Sequence, residues 1–282
     1  MDTTPESPNL PTSPQGPSEQ SGSGVAPSSV PLLSLRGVSK NFGPVQAIQG
    51  VNLDIPDGQV TALIGDNGAG KSVLIKTISG IWPPSEGKIF WKGEEIHEHS
   101  PRSATALGIA TVYQDLALCD NLDIVQNMYL GREETKFGTL DEIKMELATN
   151  QLLKDLSVST VKSVRQLVAS LSGGQRQAIA VARAVMRDSR LVILDEPTAA
   201  LGVSQTRQVL ELIRTLSSRG IAVLVISHNL NDVFSVADRI AVMHLGSLVS
   251  NGPISDYDTN SAVELITTGQ SSRVPTTLAP SS

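Results

Sequence analysis

One eight-residue stretch limits the folds open to this chain more than any other: Gly65-Asp66-Asn67-Gly68-Ala69-Gly70-Lys71-Ser72. It follows an apolar, β-branched run at 60–64 and precedes Val73, Leu74 and Ile75, which open a helical pattern. Strand, glycine-rich turn and helix in that order make a P-loop. The glycines let the backbone curl so that successive N–H groups point inward, and the helix start adds the positive end of its dipole. A polyphosphate is the natural occupant. Lys71 supplies a mobile cation for the β and γ phosphates, and the Ser72 hydroxyl is placed to ligate Mg²⁺.

Around this loop the chain reads as α/β. Short β-branched runs at 33–38, 60–64, 109–112, 191–194 and 221–226 alternate with longer amphipathic stretches, the pattern of a largely parallel sheet. Residues 203–219 repeat apolar side chains at helical spacing and stop at Gly220, a natural C-terminal boundary. The interval 115–170 breaks the alternation. Its apolar residues, Ile143 with Leu147 and then Leu152, Leu153 and Leu156, recur at three- or four-residue steps, which predicts a helical insert.

Composition excludes several classes. A net charge of −6 gives no electrostatic drive toward phosphate polymers or anionic lipid, so no nucleic-acid partner is expected. The longest apolar runs fall far short of the roughly 20 residues that cross a bilayer as a helix. The single cysteine, Cys119, forbids an internal disulfide and suits a reducing compartment. Residues 1–31 hold seven prolines and seven serines with no lysine or arginine, which predicts a disordered Pro/Ser-rich segment. That segment has neither the basic start nor the apolar stretch of a secretory signal, and a cytosolic location is expected. The Ser/Thr/Pro-biased tail, 269–282, is expected to be flexible, leaving 32–268 as one folded unit.

A second chemical feature lies far along the chain. The run Leu191-Val192-Ile193-Leu194 leads straight into Asp195-Glu196-Pro197, so a buried strand delivers two carboxylates at its C-terminal end. That end is where open α/β sheets bind ligands. An acidic pair after a strand is, taken alone, more often a helix cap or a solvated turn. With the P-loop lysine 124 residues upstream of Asp195, catalytic roles are expected instead. Asp195 would hold Mg²⁺ directly or through water. Glu196 would orient and deprotonate an attacking water, a role worth roughly 10²- to 10⁴-fold in rate.

Between these two features stands Leu171-Ser172-Gly173-Gly174-Gln175-Arg176-Gln177, with Ser172 23 residues before Asp195. It resembles the signature of the ATP-binding cassette (ABC) ATPases. The order of the other motifs is similar to that family as well: Gln114 at the Q-loop, residues 199–202 at the D-loop and His228 at the switch histidine. Phe42, in Ser39-Lys40-Asn41-Phe42-Gly43, matches the aromatic that stacks on adenine, and such stacking is worth roughly 1 to 3 kcal/mol in nucleic-acid systems. The resemblance covers 33–269.

It implies a P-loop NTPase fold with a mostly parallel core sheet, an antiparallel β subdomain and a helical signature subdomain near 115–170. It also implies Mg²⁺-dependent ATP hydrolysis by two cassettes, with the signature of one facing the P-loop of the other. Read from the residues alone, Ser172, Gly173 and Gly174 precede a helix with the apolar stripe Ala178, Val181, Ala182 and Val185. They fit an ordinary serine-capped helix or a second anion site. The resemblance favours the second and adds Gln175 to it. It makes Gln114 a contact to Mg²⁺ or its water that relays nucleotide state to the insert. His228 becomes a donor to the γ phosphate that holds Glu196 and water in register.

Longer word matches narrow the resemblance. Asp66-Asn67, the stretch from Val112-Tyr113-Gln114-Asp115 to Gly131-Arg132-Glu133, Ser163-Val164-Arg165-Gln166-Leu167 and Ile226-Ser227-His228-Asn229-Leu230 are similar to simple-sugar importers of the ribose, xylose and fructose type. The implied protein is an ATPase subunit lying on the cytoplasmic face of the cell membrane. Its implied partners are transmembrane permease subunits, a second cassette and, indirectly, an extracytoplasmic sugar-binding protein. A cassette of another transporter, exporters included, and a soluble non-transport ABC ATPase are the alternatives. The D-loop departs from the general family: an aspartate that contacts the opposite nucleotide site is replaced by Gly202. His97 and His99 have no cysteine or third histidine nearby and read as solvated loop residues rather than metal ligands, and His244 carries no functional expectation.

Overall fold

The computed structural model describes Met1, residues 30–186 and residues 188–274. The disorder expected for 1–31 and most of the flexible tail fall on 2–29 and 275–282, which lie outside the described residues. The path opens with a hairpin, β1 (Leu33–Phe42) and β2 (Val45–Ile55), followed by β3 (Val60–Gly65) and α1 (Lys71–Ile78). Next come β4 (Glu86–Trp91), β5 (Glu94–Glu95), α2 (Pro101–Ala106) and β6 (Ile109–Val112). The insert holds α3 (Ile124–Tyr129), the short hairpin β7 (Thr135–Lys136) and β8 (Thr139–Leu140), and α4 (Glu142–Asp155). The chain returns through α5 (Gly173–Val185), β9 (Leu191–Asp195), α6 (Val203–Ser218), β10 (Ala222–Ile226) and α7 (Leu230–Val236). It ends with β11 (Arg239–His244), β12 (Ser247–Pro253) and α8 (Thr259–Thr268).

Six strands form the central sheet in the order β12-β11-β3-β10-β9-β6. All its pairs are parallel except the antiparallel β11–β12 pair at one edge. A second sheet, β2-β1-β4-β5, is wholly antiparallel. The mostly parallel core and the antiparallel β subdomain implied by the resemblance are therefore both present.

Residue period explains why the central strands are apolar throughout. Val60, Ala62 and Ile64 of β3, Val192 and Leu194 of β9, and Val223 and Val225 of β10 join one core with α5, α6 and the insert. Leu63, Leu191, Ile193, Ala222, Leu224 and Ile226 point the other way, into a core shared with α1 and the antiparallel sheet. A strand buried on both faces reads as a continuous apolar run, which is why these segments stand out in the sequence.

Helix ends follow capping chemistry. The Asp123 side chain accepts from Gln126 N and starts α3, and Asp141 accepts from Lys144 N and starts α4. Gly220, at φ 78°, closes α6 where the sequence predicts. The helix expected around Ile143 and Leu147 exists as α4, but the face it buries is Met145, Thr149 and Leu153. Ile143 and Leu147 stay exposed, because burial follows the neighbouring core and not the count of apolar side chains. Residues 269–274, within the segment expected to be flexible, are held by a buried Val274 and by Arg273 Nη1, 3.3 Å from Asp258 Oδ2.

Candidate active site

The loop after β3 is built by close packing. A Cβ on Gly65 would stand 2.4 Å from Met243 O, and one on Gly70 would stand 2.8 Å from both Ala47 O and Ile48 Cγ2. Gly70 also adopts φ 97° as the N-cap of α1, so its side must be bare and its backbone left-handed. Lys71 is the first residue of α1, and its buried Nζ donates to Gly65 O at 2.7 Å and to Asp66 O at 2.9 Å. Burial lowers the Lys71 pKa, while Glu196, Asp66 and Asp195 pull it back up. Ser72 lies exposed on the same first turn.

Sheet register brings the acidic pair to this loop. Ile226 at the end of β10 pairs with Asp195 at the end of β9 on one side and with Leu63 on the other, so β9 and β10 end level and β3 runs two residues further, to Gly65. Glu196 N donates to Ile226 O at 3.0 Å, the last bond of the β9–β10 ladder, and Ala199 N donates to Glu196 O at 3.1 Å, turning the chain off the strand. Glu196 itself takes φ 51°, uncommon for a side-chain-bearing residue and costly enough to mark functional positions. Its Oε2 lies 2.9 Å from His228 Nδ1, with the Glu196 side chain 17% and that of His228 70% exposed, so the pair opens to solvent beyond the C-terminal ends of β9 and β10. The geometry can hold a carboxylate as proton acceptor with an imidazole fixing its orientation.

Asp195 is half-buried, and burial first, then the charge of Glu196, raises its pKa; Lys71 opposes the shift. A desolvated carboxylate beside a second carboxylate gains from a nearby cation. Asp195, the Ser72 hydroxyl and the Gln114 amide are oxygen donors, a set that fits Mg²⁺. Among the described residues no cluster of three or more His, Cys, Asp or Glu side chains could hold a metal. Mg²⁺ sites built around phosphates ask for only one or two carboxylates. Gln114 is exposed two residues past β6, the strand beside β9.

Phe42 ends β1 opposite Val45 and is 40% exposed. Its ring meets Trp82 edge-on, with centroids 4.8 Å apart and planes at 76°. Lys40 Nζ stands 5.4 Å from the Phe42 centroid and Lys76 Nζ 4.8 Å from that of Trp82. Sequence patterns do not single out Trp82. The only signal was scarcity, since the chain has two tryptophans.

The signature residues open α5. Ser172 caps α5 by accepting from Gln175 N at 3.3 Å, and Gln175 Oε1 accepts from Ser172 N at 2.9 Å. Gln175 Nε2 donates to Thr160 O at 2.6 Å. Added Cβ atoms on Gly173 and Gly174 would meet Leu201 Cδ2 and Gln205 Cβ, each at 2.9 Å, so these glycines let α5 approach the start of α6. The serine-capped helix is thus real, and its first turn leaves Ser172 and Gly173 exposed. Gly202 is the N-cap of α6 with open space around its missing side chain. His97 is exposed, whereas His99 is partly buried and its pKa lowered by that burial. His244 Nδ1 lies 2.8 Å from Ile266 O, joining β11 to α8.

A P-loop, an acidic strand end and a glutamate–histidine pair on this α/β frame define a nucleotide-binding ATPase class, and the chain belongs to the ABC transporter family, which residues 48–199 match. Two relatives match nearly end to end. The fructose import ATP-binding protein FrcA of Rhizobium meliloti is 46% identical over 244 residues, covering 84% of this chain and 94% of that protein. The xylose/arabinose import ATP-binding protein XylG of Sulfolobus acidocaldarius is 44% identical over 236 residues, with the same two coverages of 84% and 94%. The ADP conformation of an ATP-binding cassette of an ABC transporter superposes with a TM-score of 0.71 at 25% identity, covering 84% of this chain and 95% of that one. No helix among the described residues is long and apolar enough to cross a membrane.

Proposed function

We propose that this chain is the ATP-hydrolysing subunit of a simple-sugar importer, acting as one of two cassettes on the cytoplasmic face of a membrane permease. The observation that carries the reaction is the convergence of Lys71, Asp195, Glu196 and His228 where β3, β9 and β10 end, with Glu196 and His228 2.9 Å apart. The identities with FrcA and XylG carry the substrate class.

In this reading the backbone amides of the 65–72 loop hold the triphosphate, and Lys71 exchanges its two carbonyl partners for phosphate oxygens. Ser72 and Asp195, with Gln114, are the residues that would hold Mg²⁺, which supplies charge neutralisation at the β and γ phosphates. Glu196 accepts a proton from the attacking water, and His228 fixes the carboxylate and the γ phosphate in one register. Phe42 offers its exposed face to adenine. Ser172 and Gly173 stand exposed at the start of α5, where they serve the nucleotide of a second cassette.

The permease has a place to seat. A groove of about 500 Å³ lies between α2, β6 and the insert, lined by Ile81, Tyr113, Leu116, Leu130 and Arg132 among others. It borders the loop that carries Gln114, so docking and nucleotide state share one segment.

The test is Mg²⁺-dependent phosphate release from ATP by the purified chain, alone and with its copurifying permease. Glu196→Gln should retain ATP binding and lower turnover by roughly 10²- to 10⁴-fold. Lys71→Ala should weaken binding and abolish hydrolysis. Turnover by Glu196→Gln within a few-fold of the parent overturns the assigned base, and a copurifying permease that moves no sugar overturns the substrate class.

A further inference from the structure

The segment after Gln114 is tied to the far end of the signature helix. Arg183 stands in the last turn of α5 and sends Nη2 to Leu116 O at 2.7 Å and Nη1 to Ala117 O at 2.8 Å. Ala117 adopts φ 48°, a conformation L-residues avoid, and the guanidinium fork takes the two carbonyls presented at that bend. Arg132 braces the same turn, donating through Nη2 to Arg183 O at 3.2 Å and to Met128 O at 2.8 Å. Further on, fully buried Asn127 binds the backbone of Cys119 in both directions and adds Asp123 O, fixing the segment to α3. Upstream, the Tyr113 hydroxyl lies 3.2 Å from Ser79 Oγ, beyond the end of α1. The chain therefore leaves hydrogen bonds to the core at Tyr113 and takes up hydrogen bonds to α5 at Leu116, with Gln114 and Asp115 between.

We propose that Arg183 is a positioning residue that makes the segment after Gln114 move together with α5. This rests on the ATPase reading above. α5 is a single helix from its Ser172 cap to Arg183, about 16 Å along its axis at 1.5 Å per residue. A displacement of Leu116 and Ala117 is then delivered to Ser172 at the opposite end. Arg183 also lines the docking groove beside Leu116 and Leu130, so pressure from a seated permease falls on the same fork.

The experiment compares Arg183→Ala and Arg183→Lys with the parent chain. Its readouts are MgATP turnover, KM, and amide hydrogen exchange without nucleotide. Arg183→Ala should lower kcat at least tenfold with KM changed less than threefold. Exchange at 116–119 should accelerate at least tenfold while amides at 178–182 inside α5 stay protected. Arg183→Lys keeps the charge and the aliphatic stem but loses the two-pronged geometry; it should fold as the parent does and show at least a threefold loss of kcat with faster exchange at 116–119. Parent-like kcat and exchange in Arg183→Lys overturn the proposal, as does exchange in Arg183→Ala that accelerates equally along α5. A parent chain without ATPase activity would defeat the ATPase reading instead, and the exchange comparison still reports on the fork.

Discussion

Replacing Gly70 by alanine tests the phosphate loop with an internal control two residues away in the same turn. Gly70 and Gly68 both have left-handed backbones, at φ 97° and 84°. An L-side chain in that region costs about 1 to 2 kcal/mol, and both Gly68→Ala and Gly70→Ala carry that cost. They differ in space. Nothing lies within 4 Å of a Cβ on Gly68, whereas one on Gly70 meets Ala47 O and Ile48 Cγ2 at 2.8 Å. Neither neighbour yields easily: Ile48 is fully buried, and its strand is pinned where Gln49 N donates to Gly246 O at 2.8 Å and Gly246 N to Ala69 O at 3.1 Å. Overpacking of this kind adds about 1 to 3 kcal/mol. Gly70→Ala should therefore lose roughly 2 to 5 kcal/mol, a fall in Tm of roughly 5 to 15 °C for a domain this size. Gly68→Ala should fall only about 3 to 6 °C. Thermal melts by circular dichroism in nucleotide-free buffer measure both. Equal shifts in the two variants would refute the packing argument for the cradle.

Two further outcomes are expected. Phe42→Ala should raise KM for ATP by roughly 5- to 150-fold, matching a stacking loss of about 1 to 3 kcal/mol, with kcat little changed; steady-state kinetics with an unmoved KM would remove Phe42 from the site. Asp195→Asn should raise Tm at neutral pH in EDTA, because burial and Glu196 lift the native pKa of Asp195 above its ordinary 3.8, so the native state holds the charge less favourably than the unfolded chain. As pH falls through the raised native pKa the gain should shrink, and below 3.8 it should vanish, since both states then bind the proton; a gain that grows in acid contradicts the shift.

What could be read from the sequence was what local chemistry specifies. The loop of residues 65–72, the two-sided strands β3, β9 and β10, and the Gly220 stop of α6 each carry a pattern within a few neighbours. The pairing of Glu196 with His228 could be expected from motif order, but its cause is non-local: Ile226 must align with both Asp195 and Leu63. The strand β11, the edge strand β12 and the helix face of α4 escaped pattern reading, because they are decided by what packs against them. Arg183 and Trp82 escaped for the same reason. An arginine in an amphipathic helix looks like a solvated charge until the carbonyls of Leu116 and Ala117 are brought to it.

The central claim is that one chain holds the triphosphate and a second completes the site. Light scattering on the Glu196→Gln chain, with and without MgATP, addresses it most directly. The account predicts a doubling of molar mass with saturating MgATP, one nucleotide per chain, and no doubling when Lys71→Ala is added. A Glu196→Gln chain that saturates with nucleotide yet keeps the mass of a single chain would contradict it.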